Sequence, residues 1–277
     1  MKLSAEFFPP RTPEGLDKLL EVAEGFRPFD LDYISVTYGA GGSTQERTLA
    51  TIKALREREW DVAPHLTCVD SERTKIADLL KTYMDLGVHR IVALRGDIPS
   101  GMRDLGDFNY AVDLVKFIRE VTGDHFHIEV AAYPEVHPQA KNWQTDMTHF
   151  GEKMAAGADA AITQYFFNPD AYCRFVNSAR AQGIESNIIP GIMPINNYEQ
   201  LARFSDSCGA EIPRWLRKRL EALGEDKVAI GELGLEVIGD LCERVLNGGA
   251  PGLHFYAMNA LEPTRSLLER ARSSLTR

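Results

Sequence analysis

Short apolar runs rich in β-branched and aromatic residues alternate with longer amphipathic patterns along this chain. The runs predict eight strands, and the patterns between them, such as the one with Leu16, Leu19 and Leu20, predict helices with one buried face. Alternating strands and helices indicate a parallel sheet with right-handed crossovers. Eight such units, with strand ends about 30 residues apart, favour a closed (β/α)8 TIM barrel in the α/β class. The predicted strands are 3–8, 31–37, 62–67, 89–94, 126–132, 160–165, 187–191 and 252–256.

The regular spacing breaks once, between Gly191 and the last predicted strand. The sequence there is long enough for roughly two units, yet it contains helical patterns and no convincing strand. We therefore predict extra helices between the seventh and eighth strands, at 197–207, 211–222 and 227–247, over one side of the barrel mouth. No linker-like segment divides the chain, so residues 1–277 are expected to form a single catalytic domain.

A doubly wound dinucleotide-binding sheet is the competing architecture. The segment Gly39-Ala40-Gly41-Gly42-Ser43-Thr44 follows the second predicted strand and resembles the glycine fingerprint of such folds. Thr44, however, stands where the third glycine belongs. The chain also shows no clear point at which the strand order would reverse, so the barrel is preferred and the glycines are interpreted as a flexible loop.

Charge and cysteine content limit the possible partners. The 277 residues carry a formal net charge of −9, with a pI near 5.3, which argues against a nucleic-acid partner that needs a basic face. Four scattered cysteines without a C-x-x-C pair indicate reduced thiols. The amino terminus lacks a signal-peptide pattern and no 18-residue apolar span occurs. We expect a cytoplasmic protein that binds no membrane and forms a homo-oligomer.

Polar and charged side chains collect where the predicted strands end, and that end of a barrel holds active sites. The most informative segment is Glu6-Phe7-Phe8-Pro9-Pro10, in which two prolines stop the sheet just after an acidic residue. Glu6 could be a solvated residue at a strand end. Its apolar neighbours are instead expected to exclude water and raise its pKa, which suits a general acid near neutral pH.

Other strand ends carry further candidate chemistry. Arg95-Gly96-Asp97 offers a guanidinium and a carboxylate across a glycine, a set suited to a polar ring or a phosphate. His65 and His137 could be nucleotide contacts, structural histidines or metal ligands; no H-x-x-x-H pair or acidic triad accompanies them, so no metal site is predicted. Gln164 precedes Tyr165-Phe166-Phe167, which are either core residues or a stacking wall beside an amide that reads a heterocycle edge.

Taken in order along nearly the whole chain, these motifs resemble the methylenetetrahydrofolate reductase family. Each motif alone is a modest signal, but their common order and spacing are hard to explain by chance. The length resembles that of the short bacterial type, which lacks the regulatory S-adenosylmethionine-binding domain of the eukaryotic enzymes. The matching segments are 6–10, 35–40, 63–68, 93–97, 132–138, 156–159, 162–164, 190–194 and 254–256.

The resemblance implies non-covalent FAD, NADH or NADPH as reductant, and reduction of 5,10-methylenetetrahydrofolate to 5-methyltetrahydrofolate for methionine synthesis. In this family nicotinamide reduces the flavin and leaves before the folate enters, a ping-pong sequence. Glu6 would protonate the departing folate nitrogen, and Asp97 would orient the folate and act on the flavin. Gln164, Phe204 and Tyr256 would contact substrate. The residues implied in FAD binding are Thr37, His65, Arg95, Gly96, Asp97, Tyr110, Ala131, Tyr133, His137, Asp146 and Lys153.

Two other functions fit parts of the pattern. Another FAD-dependent barrel, such as a proline-dehydrogenase-like amine oxidase, would also move hydride onto a flavin, although the Glu6 motif and Gln164 favour folate. The alternative from a different class is a non-catalytic protein that carries FAD or binds a partner on a barrel scaffold, since fold alone does not establish activity. The presence of Glu6, Asp97 and Gln164 argues against that alternative.

Overall fold

The structure is a computed structural model that describes residues 1–38, 42–97 and 106–275. In this part of the chain, nine strands pair in parallel into a nearly closed barrel, in the order β7-β6-β5-β4-β3-β2-β1-β9-β8. The strands are β1 Lys2–Phe7, β2 Tyr33–Val36, β3 Val62–Thr67, β4 Arg90–Leu94, β5 His127–Ala132, β6 Ala160–Thr163, β7 Asn187–Ile189, β8 Gly191–Ile192 and β9 Gly252–Tyr256.

Helices follow the strands and surround the barrel, as the alternating pattern predicts. A short 3-10 helix at Arg27–Phe29 precedes β2. The α-helices of the described residues are α1 Pro13–Gly25, α2 Gly42–Arg56, α3 Arg73–Asp85, α4 Ala111–Thr122, α5 Trp143–Ala155, α6 Pro169–Ala181, α7 Tyr198–Cys208, α8 Arg214–Leu223, α9 Lys227–Asn247 and α10 Thr264–Leu275.

The barrel closes at the predicted strand 187–191, which is divided into β7 and β8 at Pro190. Proline has no N–H to give to a sheet, so pairing is interrupted there. β7 pairs with β6 and β8 pairs with β9, so the two halves together join the sheet edges. A Cβ at Gly191 would lie 2.1 Å from the Thr163 carbonyl oxygen, so only glycine fits this junction. The predicted (β/α)8 barrel is confirmed.

The order of the strands rules out the doubly wound sheet. Consecutive strands from β1 to β7 are neighbours all the way round, so no reversal point exists at which a dinucleotide would bind. Gly39, Ala40 and Gly41 of the glycine-rich segment lie outside the described residues. Among the residues that are described, no helix is both long enough and apolar enough to cross a membrane.

The predicted extra helices are α7, α8 and α9. α7 and the loop after it reach the barrel mouth, whereas α9 packs against α6 and α10 in the ring of helices around the barrel. The backbone N–H of Glu211, in the loop between α7 and α8, donates to Glu135 Oε2 over 2.8 Å in the loop after β5. Gly209, which ends α7 with φ of +76°, packs on Pro138, and a Cβ there would approach the proline ring to 2.5 Å. The insertion is therefore anchored to the carboxyl end of β5.

The core divides into two parts because alternate strand residues face opposite sides of the barrel wall. The larger part lies between the strands and the helices and includes Ile34, Leu66 and Phe255. A smaller apolar cluster fills part of the barrel interior. The remainder of the interior is polar, with buried side chains on several strands. The interior cluster is Tyr33, Ala63, Val92 and Ile162 with Leu94, and the buried polar residues of the strands include Ser4, Ser35, His65, Glu129 and His254.

Candidate active site

The predicted site residues lie at one end of the barrel. Glu6 and Tyr256 are register partners near the ends of β1 and β9, and His65 lies near the end of β3. Asp97 follows β4, and Gln164 directly follows β6. Because the strands are parallel, their carboxyl ends meet at one mouth, as the sequence predicts. The roles assigned to these side chains stay predictions.

Glu6 lies between two imidazoles. Its Oε2 is 3.2 Å from Nε2 of His65 and 3.7 Å from Nε2 of His254. The His254 side chain is fully buried, whereas 18% of the Glu6 side chain is exposed at the mouth. Neither Nε2 atom has a partner other than Glu6 among the described residues, and the nearby Ser35 hydroxyl is also buried without one. The carboxylate is thus held by two groups that can each carry a proton and is open to a ligand.

The predicted rise in the pKa of Glu6 is wrong. Burial by itself raises this pKa, but the charge of His65 and the hydrogen bonds from both imidazoles outweigh burial and lower the pKa to about 2. The aromatic neighbours also point elsewhere, since Phe7 packs in the outer core and Phe8 is exposed. An ionised Glu6 must receive a proton before it can act as an acid.

Polar contacts continue from Glu6 into the barrel. His254 Nδ1 lies 2.7 Å from Ser4 Oγ, and the Tyr33 ring stacks on the His254 ring with the centroids 6.2 Å apart. The Tyr33 hydroxyl donates to Glu129 Oε2 over 2.6 Å. We call Glu6, His254, Ser4, Tyr33 and Glu129 the interior polar column. The sequence signal for it is the two-residue spacing of Ser4 with Glu6 and of His254 with Tyr256, which places each pair on one face of a strand.

A second group of predicted residues surrounds the ends of β5 and α5. Asp146 Oδ2 accepts a hydrogen bond of 2.8 Å from the backbone N–H of His137, and the His137 and Tyr133 rings meet edge to face at 4.5 Å. Lys153 Nζ donates to the Ala131 carbonyl oxygen. Burial lowers the pKa of Lys153 to about 8, against the opposing charge of Asp146. The predicted cofactor residues of this region therefore form one contact network.

Arg95, Gly96 and Asp97 lie beside that network after β4. Arg95 donates to the Gly96 carbonyl oxygen over 3.3 Å and to Gln139 Oε1. Burial, followed by the charge of the exposed Asp97, raises the pKa of Tyr133 to about 12. Gly96 has φ of +89°, and a Cβ there would lie 2.9 Å from Val69 Cγ1. The glycine is thus required by the fold itself, whether or not a ligand approaches it.

Three further predicted residues lie away from the group around Glu6 and from the network at the ends of β5 and α5. Tyr110 is 60% exposed and stacks on His149 with the ring centroids 6.3 Å apart. Phe204 lies on α7 and is 37% exposed. Thr37 donates its backbone N–H to the Phe7 carbonyl oxygen over 2.9 Å, which extends the β1 and β2 pairing. These positions border the mouth without forming its centre.

Gln164 is at the mouth, but the aromatic residues after it are not a stacking wall. Tyr165, Phe166 and Phe167 are all buried in the outer core, so the core interpretation holds and the stacking one is wrong. Tyr165 is covered by α7, where Ser205 Oγ lies 3.0 Å from its hydroxyl. Gln164 Oε1 accepts from the backbone N–H of Tyr165 over 2.9 Å. The amide NH2 is therefore the part of Gln164 available to a ligand.

Tyr256 closes the mouth next to Gln164, and its hydroxyl is already engaged. It donates to the Thr163 carbonyl oxygen over 2.8 Å. Burial, followed by the charge of Glu6, raises the pKa of Tyr256 well above its usual value. The ring, rather than the hydroxyl, is thus the surface that Tyr256 can offer to a substrate.

The cavities and cysteines do not mark another catalytic centre. A cavity of 610 Å³ beside the loop after β5 is lined by Trp143, Arg174 and neighbours, and it includes none of the predicted site residues. The four cysteines are unpaired, and burial raises the pKa of Cys68 to about 12, so it is a poor nucleophile. The described residues contain no group of three or more side chains suited to hold a metal ion.

Comparison with known proteins gives consistent matches. The family model for methylenetetrahydrofolate reductase matches residues 1–272. The 5,10-methylenetetrahydrofolate reductase of Salmonella typhimurium is 39% identical over 265 residues, covering 95% of this chain and 88% of that one. A probable methylenetetrahydrofolate reductase (NADH) of Oryza sativa is 37% identical over 270 residues, covering 92% of this chain and 46% of that one.

A solved structure supports the fold independently. It is an uncharacterized protein from Clostridium thermocellum that binds two copies of 5-methyl-5,6,7,8-tetrahydrofolic acid. The two chains superpose with a TM-score of 0.68 over 100% of this chain and 95% of that one. Their sequences are only 16% identical, so this match shows a shared barrel fold and no more.

Proposed function

Because this chain belongs to the methylenetetrahydrofolate reductase family of enzymes, we propose that it reduces 5,10-methylenetetrahydrofolate to 5-methyltetrahydrofolate using bound FAD and NADH or NADPH. Membership of this family rules out the amine oxidase and the non-catalytic scaffold considered from the sequence. The observation that carries the proposal is the Glu6 carboxylate, held between His65 and His254 at the mouth of the barrel.

Glu6 provides the acid chemistry that this reduction needs. The five-membered ring of the folate opens only when its departing nitrogen gains a proton, and a positioned carboxyl contributes about 10²–10⁴ to the rate of such a step. Glu6 is accessible from the mouth, and because its pKa is about 2 it must receive a proton, from a neighbouring side chain or from solvent, before it can act. Glu6 thus passes on a proton instead of storing one.

The residues at the ends of β4 and β5 fit FAD. Arg95 and Lys153 both lie close enough to His137 for their charges to act on it, so two cationic groups border one ring in an otherwise acidic protein, which suits a pyrophosphate. Tyr110 presents an exposed, flat ring that is stacked on His149 and suits an aromatic cofactor group. We propose that these residues, with Thr37, His65, Gly96, Asp97, Ala131, Tyr133, His137 and Asp146, hold FAD without a covalent bond. The chemistry supplied by bound FAD is hydride transfer from nicotinamide to folate in two half-reactions.

Asp97 and Gln164 would orient the folate. Asp97 is exposed at the mouth and acts electrostatically on Tyr133, which in turn acts on Tyr256 beside Glu6. The free NH2 group of Gln164 can donate to an acceptor on the pterin edge, while Phe204 and the Tyr256 ring provide apolar contact. A single mouth would serve nicotinamide and folate in turn, which is the physical basis for a ping-pong sequence.

We further propose that residues 1–277 are one catalytic domain and that the protein acts in the cytoplasm as a homo-oligomer that supplies methyl groups for methionine synthesis. The continuous core around the barrel supports the single domain. Its proposed partners are folate and pyridine nucleotides.

Anaerobic stopped-flow absorbance tests the function. The purified protein, supplied with FAD, is expected to show flavin bands, to lose them on mixing with NADH or NADPH, and to regain them with methylenetetrahydrofolate. Acid precipitation should release all of the flavin to the supernatant, because no covalent link is proposed. A protein that takes up no flavin, or whose reduced flavin is not reoxidised by methylenetetrahydrofolate, would contradict the proposal.

A further inference from the structure

The inward face of β1 continues past the end of the strand. Alternate residues of a strand face the same side of a sheet, and Phe7 packs on the outer side, in the core beneath the helices. Ser4 and Glu6, on the other face, both contact His254 inside the barrel. Phe8 follows Glu6 by two residues, so its ring belongs to this inward face, about 7 Å nearer the solvent than Glu6.

The backbone holds Phe8 in this extended course. Phe8 precedes Pro9, and a residue before proline is restricted to extended conformations. On one side, the Phe7 carbonyl oxygen accepts from the backbone N–H of Thr37 over 2.9 Å. On the other side, the Asn259 side chain bonds both backbone groups of Phe8. Its Oδ1 accepts from the N–H over 2.9 Å, and its Nδ2 donates to the carbonyl oxygen over 2.8 Å. The pairing of β1 therefore extends one residue beyond the strand.

The Asn259 carboxamide takes the place of a backbone strand here. In the β1–β9 ladder the Ala257 N–H donates to the Glu6 carbonyl oxygen, and the following backbone groups would next pair with Phe8. The chain after β9 turns away instead, with φ of +54° at both Met258 and Asn259. Asparagine tolerates this left-handed conformation. Because its amide has a donor and an acceptor, it supplies both of the bonds that the departing backbone does not.

The ring that this arrangement fixes is not used by the fold. Phe8 is 43% exposed and belongs to neither apolar cluster of the described residues. Two successive left-handed residues, Met258 and Asn259, are unfavourable for the backbone, and such conformations are concentrated where a fold clamps a ligand. The barrel thus presents a phenyl ring to its mouth, directly above Glu6, instead of packing it.

The ligand group that fits this ring follows from the chemistry at Glu6. In methylenetetrahydrofolate the departing nitrogen is attached directly to the benzoyl ring, and the rest of the molecule extends from that ring. A folate that receives a proton from Glu6 therefore has its benzoyl ring within several ångströms of the carboxylate. Aromatic rings attract one another at centroid separations of about 4.5–7 Å, and Phe8 is at that distance on the solvent side of Glu6.

We propose that Phe8 binds the benzoyl ring of methylenetetrahydrofolate and so places the departing nitrogen at Glu6, and that Asn259 is a positioning residue that fixes Phe8 through its backbone. This inference rests on the proposed function and deepens it, because it assigns the residue that holds the middle of the substrate. Flavin reduction needs no ligand nitrogen at Glu6, so the contact serves the folate half-reaction alone.

Stopped-flow absorbance of the FAD-loaded protein tests the contact at Phe8. Phe8→Ala is expected to raise the concentration of methylenetetrahydrofolate that gives half-maximal reoxidation on the order of 10-fold, since a ring pair and apolar contact area are both lost. Phe8→Tyr keeps the ring and should stay within about twofold of the parent. The matched control is Trp215→Ala, which removes another exposed aromatic side chain, on α8, and should change neither half-reaction.

The outcomes of this comparison are distinct. Flavin reduction by NADH or NADPH should match the parent in every variant. An unchanged reoxidation curve in Phe8→Ala, or an equal loss in both half-reactions, would overturn the proposal. A change in oligomeric state by light scattering, with the parent's kinetics, would identify Phe8 as a subunit contact and would also overturn it.

A fragment of the substrate identifies the group that Phe8 binds. p-Aminobenzoylglutamate carries the benzoyl ring without the pterin, and it should inhibit reoxidation of the parent by competing with methylenetetrahydrofolate. Phe8→Ala should weaken this inhibition on the order of 10-fold, as it weakens binding of the whole substrate. If the variant is inhibited as strongly as the parent, or the parent is not inhibited at all, the benzoyl ring binds elsewhere and the assignment is wrong.

Asn259→Gly separates positioning from stability. Glycine accepts φ of +54° without steric strain, so the variant loses the two bonds to Phe8 and little else. It should shift half-saturation by folate about 3- to 10-fold, with FAD content and flavin reduction near the parent's. The double variant Asn259→Gly, Phe8→Ala should shift no further than Phe8→Ala, because Asn259 acts only through Phe8. Additive shifts, or a loss of stability with the parent's half-saturation, would contradict the positioning role.

The two proposals fail on different results. A parent protein whose reduced flavin is not reoxidised by methylenetetrahydrofolate disproves the proposed function. A parent with normal turnover and an unaffected Phe8→Ala disproves only the role of Phe8.

Discussion

Two carboxylates lie inside the same barrel and differ in what surrounds them. Glu129, on β5, is fully buried and accepts from the Tyr33 hydroxyl at 2.6 Å and from Arg90 at 2.9 Å. Glu6, on β1, is 18% exposed and faces the imidazoles of His65 and His254 at 3.2 and 3.7 Å. Glu129 Oε1 also lies 3.7 Å from Nε2 of His127, but burial lowers the pKa of that imidazole, and both hydrogen bonds to Glu129 come from groups that keep their protons. The partners of Glu6 are both imidazoles.

That difference gives Glu129 a structural role and makes Glu6 the carboxylate suited to proton transfer. A guanidinium stays protonated at any physiological pH, and the Tyr33 hydroxyl has a pKa well above its usual value because of burial and the charge of Glu129, so Glu129 is permanently satisfied. Imidazoles exchange protons near neutral pH. Burial alone would predict that Glu129, the more deeply buried carboxylate, is the more reactive of the two. The hydrogen-bond partners of Glu129 and Glu6 reverse that order.

The sharpest test of the comparison is Glu6→Gln, which is expected to have the largest effect. An amide cannot relay a proton, so reoxidation of the flavin by methylenetetrahydrofolate should slow by about 10²–10⁴. Reduction of the flavin by the pyridine nucleotide requires no proton on a folate nitrogen and should stay near the parent's rate. Stopped-flow absorbance measures both. An equal loss in the two half-reactions would assign Glu6 a structural role like that of Glu129.

The same substitution at Glu129 should act on stability. Glu129→Gln removes the charge that pairs with Arg90. An uncompensated buried charge typically lowers the free energy of unfolding by about 3–5 kcal/mol. We expect the lower end of this range because 19% of the Arg90 side chain is exposed. Urea unfolding at neutral pH measures the change in the free energy of unfolding. The control is the double variant Glu129→Gln, Arg90→Leu, which leaves no unpaired charge and should recover part of the loss. Equal losses in the single and double variants would contradict this explanation.

Ionisation of Glu6 should make stability depend on pH, with a smaller effect than the loss expected for Glu129→Gln. Its pKa is about 2 in the folded protein against an ordinary value of 4.5, so its ionised form stabilises the fold above pH 4.5, and that contribution is lost as the pH falls toward 2. The loss amounts to no more than about 3 kcal/mol. Urea unfolding in a pH series from 5 downward should show a steeper decline for the parent than for Glu6→Gln, because the other carboxylates titrate in both. If the parent gained stability relative to the variant on acidification, the pKa of Glu6 would be raised and not lowered.

Local patterns were sufficient for the elements of the fold. The period of apolar residues located each predicted strand to within two residues at either end. The mouth residues followed from the same patterns, because a parallel barrel brings the end of every strand to one place. The division of one strand at Pro190 and the short 3-10 helix at Arg27–Phe29 were not predicted.

Long-range partners were what the sequence could not show. Ser4 and His254 are 250 residues apart in sequence, so the neighbours of Glu6 give no sign of the imidazole that lowers its pKa. Tyr165 is buried because α7 of the insertion covers it, and a strand-end pattern cannot show which element will pack there. In both cases the environment of a side chain depends on contacts that only the closed barrel creates.

The same comparison can be made for an amide, that of Gln164, whose substitution has the smallest expected effect. Gln164 Oε1 is held by the Tyr165 N–H, which leaves the NH2 group to bind folate. Gln164→Ala should weaken folate binding by about 1–3 kcal/mol, roughly 5- to 150-fold, if it leaves an acceptor on the folate buried without a partner. FAD content and thermal stability should stay near the parent's.

Gln139→Ala is the matched control. The Gln139 amide oxygen accepts from Arg95 on the proposed FAD side, so this substitution should alter FAD binding and not folate affinity. If Gln164→Ala loses FAD or unfolds readily with folate affinity unchanged, the amide is a structural group like Glu129, satisfied by its own chain and unavailable to a substrate.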